Sequence, residues 1–292
     1  MVNSKMPRRF WIVIKLLPAT AVLVLLFVWP LVAALLQSFG YAPLYGLNTF
    51  PDFSHYQKLL TGQTFWQSLG LSFYYALVPT FLGTILSIFL ALLLRKKFRG
   101  KRFFSYLYKL PLVLPYLLAA SLAVLFLSNG GLVARVCYAL GLIDSTGQFP
   151  RLLYSQWGWG VIAVYVWKQV PFTALVVSSV LTLQPKEHEE IAVTFGASTW
   201  QMFRHVTLPH ILPGVVSATL IVFAFNFGSF EVPFLLGSGF PNTLSVMAWR
   251  TFDNADYSGR LEALAIIMTL SLVSSLLLFS YLFLYRRFEA RS

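Results

Sequence analysis

Six apolar runs, most of them nearly free of charge, recur along this 292-residue chain. A helical run of about 18 residues or more is long enough to cross the roughly 30 Å hydrocarbon core of a bilayer. The runs lie at about Leu16 to Phe39, Ser68 to Leu94, Phe104 to Leu127, Trp157 to Val180, Ile211 to Phe230 and Leu261 to Tyr285. Charged residues make up only 11% of the chain, against about 25% in globular domains. Lipid offers no partner to backbone N–H and C=O groups, so the expected fold is an all-α polytopic membrane protein with six transmembrane helices. The second run, about 40 Å long as helix, has to tilt, bend at Pro79 or project from the bilayer. Pro111 and Pro115 are predicted to break or kink the first half of the third. The first run follows a basic start but is too long for a signal h-region and lacks a small-x-small cleavage site; it is expected to be a retained helix.

Orientation follows from lysine and arginine. Of the 22 such residues, 16 fall on the side of the N-terminus, including Arg95, Lys96, Lys97, Arg99, Lys101, Arg102 and Lys109 between the second and third runs. Five fall on the opposite side and only Lys168 lies within a run. This asymmetry predicts that both termini are cytoplasmic. It also explains the net charge of +12 as a topology signal and a contact for anionic membrane lipids, with no need for nucleic acid. The single Cys137 cannot form an intramolecular disulfide.

One loop breaks the apolar monotony. Residues 187–214 read EHEEIAVTFGASTWQMFRHVTLPHILPG and hold three of the ten acids, Glu187, Glu189 and Glu190. Pro185 and these acids suit a helix start; that helix is predicted to run to about Phe195. Gly196 permits a backbone reversal. Ser198 then caps a second short helix, Thr199 to Val206, before Pro209 opens the next span. On the second helix Gln201, Arg204 and His205 form a polar stripe, and Trp200, Met202, Phe203 and Val206 a wide apolar surface. Alone in water so short a helix is marginal. Periodicity leaves two supports open for it: the lipid interface or another protein.

The order Glu190, Ala192, Gly196, Ala197, Phe203, Leu208-Pro209 and Pro213 resembles the EAA loop of ABC importer permeases, the binding-protein-dependent inner-membrane components. The resemblance extends over about residues 65 to 285, and its FNFGSFEVPFLLG (Phe225 to Gly237) looks most like polyamine permeases, with iron, sulfate and phosphonate systems near. It implies a coupling helix between the fourth and fifth spans that docks on a separate ATPase, with Glu190, Ala192, Gly196, Ala197, Ser198, Phe203 and Arg204 as coupling residues. Ile191 and Phe195 depart from the pattern, the latter by replacing an acid. The further implications are two ATPase subunits carrying ATP and Mg, a second permease subunit, identical or homologous, and a periplasmic or lipid-anchored solute-binding protein. The setting is a bacterial inner membrane. Residues 1–60 become a cytoplasmic N-terminus, peripheral helix and external loop, and 61–292 the transport core. Alternating access would carry a small polar solute inward, polyamine-like by appearance.

Nothing in the chain hydrolyses nucleotide: there is no GxxxxGK[ST]. The chain is expected to bind no cofactor. His55, His188, His205 and His210 lack metal-site spacing, and no catalytic pairing stands out, which argues against an enzyme. Polar groups at membrane depth are the candidate pathway: Lys168, expected to pair with carbonyls freed at Pro171 or with an acid, then Asn226, Ser229 and Glu231. An ion-coupled secondary transporter is the alternative, disfavoured by the lack of a visible inverted repeat and of paired intramembrane carboxylates.

Overall fold

A computed structural model describes residues 8–43, 46–96, 98–183, 186–253 and 257–289. Lys97 and Pro185 lie outside the described residues, as do the side chains of Glu187, His188 and Glu189. Six helices are long and apolar enough to cross a membrane: Lys15–Ser38, Gln63–Arg95, Tyr116–Ala139, Trp159–Leu183, Thr199–Gly228 and Gly259–Phe283. Their number matches the six expected runs, but the third is displaced: it spans Tyr116–Ala139 rather than Phe104 to Leu127, because the breaks at Pro111 and Pro115 leave Phe104 to Leu114 outside the long helix. The only strands among the described residues are the two-residue pair Tyr41–Ala42 and Leu47–Asn48. The chain forms two compact units, Met1–Gln63 with Met247–Ser271 and Thr64–Val246 with Leu272–Ser292.

In the first unit, the leading span exposes its whole apolar length, with Leu25, Leu26 and Phe27 each about two-thirds exposed, as suits a helix facing lipid. It is held at its end: Ser38 Oγ pairs with Tyr56 Oη at 2.7 Å, and Phe39 packs against Phe53 and Tyr56. Tyr56 belongs to the helix Ser54–Thr61. Its neighbour Asp52 accepts the Ser54 N–H at 2.8 Å, and bonds from Ser54 hold the carboxyl below the usual range. Lys58 Nζ meets Glu262 Oε2 at 2.7 Å.

The second unit has two apolar clusters. One joins Tyr75, Ala119, Ala120, Ala123, Val161 and Tyr165; the small alanines let the third span approach its neighbours closely. The other joins Ala91, Val177, Leu181, Ile211 and Val215. There Gly214 lies so close to Val180 that an added Cβ would come within 2.7 Å of Cγ2, so the fourth and fifth spans pack tightly.

Proline treatment varies along the chain. The second helix runs unbroken through Pro79 and the fourth through Pro171. The region of Pro111 and Pro115 is divided, as predicted, into Lys101–Leu107, Leu110–Val113 and Tyr116–Leu127. The fifth span differs from expectation. The short helix from Thr199 does not stop at Val206; it widens into a π-helical turn at Phe203–Thr207 and continues into Leu208–Gly228. Pro209 lacks an N–H and would crowd the carbonyl four residues back. Widening the turn, with Leu208 N–H donating to Phe203 O, carries the helix past it. The same device precedes Pro30, where Val24–Val28 is π-helical and Trp29 N–H donates to Val24 O.

Candidate functional site

The loop after the fourth span is an elbow closed by backbone chemistry. Helix Lys186–Thr194 ends on Gly196, whose φ is +78°. Ala197 N–H donates to Ala192 O at 3.0 Å and Gly196 N–H to Val193 O at 2.9 Å. This is the Schellman pattern, which ends a helix by capping its last carbonyls through one left-handed residue. It gives physical meaning to the spacing of Ala192, Gly196 and Ala197. No atom lies within 4 Å of a Cβ added at Gly196, so the glycine is required by its backbone angle rather than by crowding.

The next helix starts as the sequence predicts and adds a feature it did not show. Ser198 Oγ accepts the Gln201 N–H at 3.3 Å, and Gln201 Oε1 accepts the Ser198 N–H at 2.8 Å. This reciprocal capping box turns the Gln201 amide back toward Ser198 rather than onto an outward polar stripe. Ser-x-x-Gln was its readable signal. His205 Nδ1 lies 3.0 Å from Gln201 O, and Arg204 and Glu190 are exposed. Trp200 and Phe203 rings sit 5.6 Å apart. The elbow also bares apolar surface: Ile191, Val193, Phe195 and Trp200 are all exposed, Phe195 by 87%.

The four residues expected at membrane depth separate into different settings. Lys168 is buried and donates to the carbonyls of Pro111 and Leu114, each at 2.5 Å, with its Nζ 4.7 Å from the Tyr116 ring centre. The expectation that Pro171 would supply freed carbonyls is corrected: they come from the segment that leads into the third span. Pro115 has no N–H for the carbonyl of Pro111, four residues earlier. Leu114 has an extended ψ of 132°, which turns its carbonyl off the helix path. Lys168 meets both.

Asn226 is buried and joins three spans: its Oδ1 accepts from Gln169 Nε2 at 3.0 Å and its Nδ2 donates to Thr80 Oγ1 at 3.3 Å. Thr80 also lines an apolar cavity of about 280 Å³ bounded by Leu77, Phe223, Phe227, Ser274 and Tyr281. Thr80 escaped sequence reading because a hydroxyl in an apolar run usually bonds its own helix. Ser229 is buried at the end of the fifth span, and its carbonyl accepts from Ser245 Oγ at 2.7 Å. Glu231 is exposed in the first turn of Glu231–Leu236. Lys168 and Asn226 therefore sit in separate hydrogen-bonded sets, and Glu231 is in neither. Among the described residues no group of three His, Cys, Asp or Glu is placed to hold a metal.

Known proteins with the same architecture supply the wider setting. The family described as "Binding-protein-dependent transport system inner membrane component" matches residues 83–292. The probable ABC transporter permease protein y4oQ of Sinorhizobium fredii is 28% identical, covering 85% of this chain and 82% of its own. The diacetylchitobiose uptake system permease protein DasB of Streptomyces coelicolor is 29% identical, with 79% and 72% covered. In fold, the chain is similar to one from a bacterial ABC transporter involved in the import of alginate, with a TM-score of 0.79, 21% identity and 96% of each chain covered. Six spans, an exposed interhelical elbow and the family match over most of the chain place it among the binding-protein-dependent inner-membrane components, as a multi-pass permease subunit of an ABC importer that is not itself an enzyme and whose ATPase is a separate subunit.

Proposed function

We propose that the elbow at residues 186–207 is the seat of a separate ATPase and passes its motion into the fifth span. The single observation carrying this reading is the continuous helix Thr199–Gly228, which joins the elbow to a membrane span without a flexible joint. Glu190, Ala192, Gly196, Ala197, Ser198, Phe203 and Arg204 hold or face that contact. Phe195, exposed at the position where the resemblance implies an acid, offers an apolar contact in place of a charged one. Two ATPase subunits bearing ATP and Mg, a second permease subunit and a periplasmic or lipid-anchored solute-binding protein complete the importer, and solute moves by alternating access. Both termini are cytoplasmic by the distribution of lysine and arginine. Residues 1–60 hold the N-terminus, the peripheral first helix and an external loop, and 61–292 the transport core, most of which the family match covers.

The pathway uses Asn226, with Gln169 and Thr80, beside the cavity that Thr80 lines; Ser229 and Glu231 stand at its outer end. Lys168 contributes by holding the wall in shape. Polyamine transport rests on the likeness of residues 225–237 and on Glu231. Against it, the one acid within the spans is Glu262, which pairs with Lys58. A polycation needs opposing carboxylates at depth. An amide-and-hydroxyl layer suits a neutral polyol, and DasB is named for diacetylchitobiose uptake; a saccharide is the solute favoured here.

The test is co-purification of the tagged chain with the ATPase of its own cell, alongside uptake measurements. Glu190→Arg and Gly196→Asp are expected to lose the ATPase and uptake together. Normal uptake by both variants with no ATPase bound would remove the coupling role. For the solute, thermal unfolding of the cognate binding protein is expected to rise with diacetylchitobiose-class saccharides and not with spermidine; the reverse restores the polyamine reading.

A further inference from the structure

The basic segment after the second span does more than set orientation. A cavity of about 480 Å³ opens between the ends of the second and fourth spans and the helix Lys101–Leu107. Lys101, Ser105 and Lys109 line it at four-residue spacing, facing Ser178 and Thr182 across the opening, and Arg95 adds a third cation to the rim. Its inner wall is apolar, with Ala91 and Leu181. Among the described residues neither Lys101 nor Lys109 has a carboxylate partner. Ser178 Oγ is a buried atom with no hydrogen-bond partner, although serines in membrane helices ordinarily bond the carbonyl four residues back. Two cations, several hydroxyls and a donor left idle form a receptor for a compact oxyanion, with an oily wall alongside.

We propose that this cavity binds a phosphate ester, the chemistry carried by an anionic phospholipid headgroup at the membrane surface or by a soluble phosphate. Lys101 and Lys109 neutralise the anion while Ser105 and Ser178 donate to its oxygens. The apolar wall formed by Ala91 and Leu181 suits the first methylenes of an acyl chain. The proposal goes beyond the transport reading and does not depend on it, since it concerns binding by the chain alone.

The test uses the full chain purified in neutral detergent, titrated with short-chain phosphatidylglycerol, phosphatidylcholine or inorganic phosphate and followed by native mass spectrometry and thermal unfolding. Phosphatidylglycerol is expected to bind and raise the unfolding midpoint; phosphatidylcholine is not. Two lysines at a charged surface carry an effect of about thirtyfold, so K101Q/K109Q should weaken binding by that factor and K101R/K109R should restore it. Ser178→Ala, which leaves every charge in place, should weaken it several-fold. Competition by inorganic phosphate at equal concentration would assign the site to a soluble anion, and its failure to compete would assign it to lipid. Loss of the same size in K96Q/R99Q, two cations of the same segment outside the cavity, would overturn the proposal by reducing it to general surface charge. So would binding that ignores both K101Q/K109Q and Ser178→Ala.

Discussion

The prolines of the third and fifth spans meet the same problem and solve it in opposite ways. At Pro111 and Pro115 the helix breaks, and a side chain from another span repairs the damage: Lys168 bonds the carbonyls of Pro111 and Leu114. At Pro209 the helix does not break. It widens within itself, Leu208 N–H reaching back to Phe203 O, and needs no outside donor. The first solution ties the fourth span to the broken segment and rests on one lysine. The second leaves the elbow and the span as one lever. Where helix does not simply run through a proline, as it does at Pro79 and Pro171, the residue marks here either a tertiary joint or a local change of helix phase, according to whether a donor from elsewhere reaches the orphaned carbonyl.

The largest expected effect tests the first solution. Lys168→Met keeps the length of the side chain and removes its donors, leaving one buried and one half-buried carbonyl unpaired. Each costs about 1–3 kcal/mol, so the purified protein should lose about 2–6 kcal/mol, read as a lowered thermal midpoint in a neutral detergent. Adding Pro115→Ala returns an N–H within reach of the Pro111 carbonyl and should recover part of that loss. Absence of any recovery would mean that the lysine serves a role other than repair.

A smaller and more local effect is expected at the elbow. Gly196→Val places a β-branched residue at φ +78°, at a strain of about 1–2 kcal/mol. Because a Cβ there meets no atom within 4 Å, the cost is conformational and should appear as faster amide exchange at positions 196 and 197, with the global midpoint nearly unchanged. ATPase co-purification should fall in step. If exchange at those two amides is unaltered, the Schellman closure is not what holds the elbow.

The two regions also differ in how much of them the sequence reveals. Gly196, Ser198 and the six apolar runs are local signals: each acts within a turn or a span, so residue type and spacing suffice to read it. The Pro111 and Pro115 break was likewise legible, because a missing N–H is a property of the residue itself. The partner of the break was not. Lys168 lies 54 residues from Leu114 along the chain, and nothing in its own neighbourhood distinguishes a bond to the third span from one at Pro171. The union of Thr80, Gln169 and Asn226 was hidden for the same reason. Phase was the subtler loss: the π turn before Pro209 adds a residue without changing composition, so a helical wheel drawn over Thr199 to Val206 cannot be extended into the span.

The polar layer is expected to contribute less than the lysine. Asn226→Leu removes bonds to Gln169 and Thr80 while keeping volume, and interhelical hydrogen bonds in membranes average about 0.6 kcal/mol, up to about 1.7. The midpoint should fall by no more than about a third of the Lys168→Met loss. Uptake should fall much further if Asn226 lines the route; an unchanged uptake rate would remove it from the pathway.

The least change in stability, and the sharpest test of the second solution, is expected for Pro209→Ala. Alanine supplies an N–H for the carbonyl of His205 and removes the ring that forces the turn to widen, so the segment can return to ordinary α geometry. Stability should change by less than about 1 kcal/mol, since the π turn already accommodates the ring and leaves little of proline's usual helix-interior cost of about 3 kcal/mol to recover. Geometry should change more: removing one residue from a turn rotates everything before it by about 100° relative to the span. The native Cys137 is the chain's one cysteine, so Thr199→Cys, at an exposed position before the turn, creates a two-label pair in which that rotation is read as a spectroscopic distance, measured with and without Pro209→Ala. An altered distance together with lost ATPase-driven uptake and an intact fold would identify helix phase as what the elbow transmits. An unaltered distance would show that the π turn is held by packing around Thr207, which is buried, and the same substitution at Pro30, where no residue of the surrounding turn is buried, would then separate proline from packing as the cause.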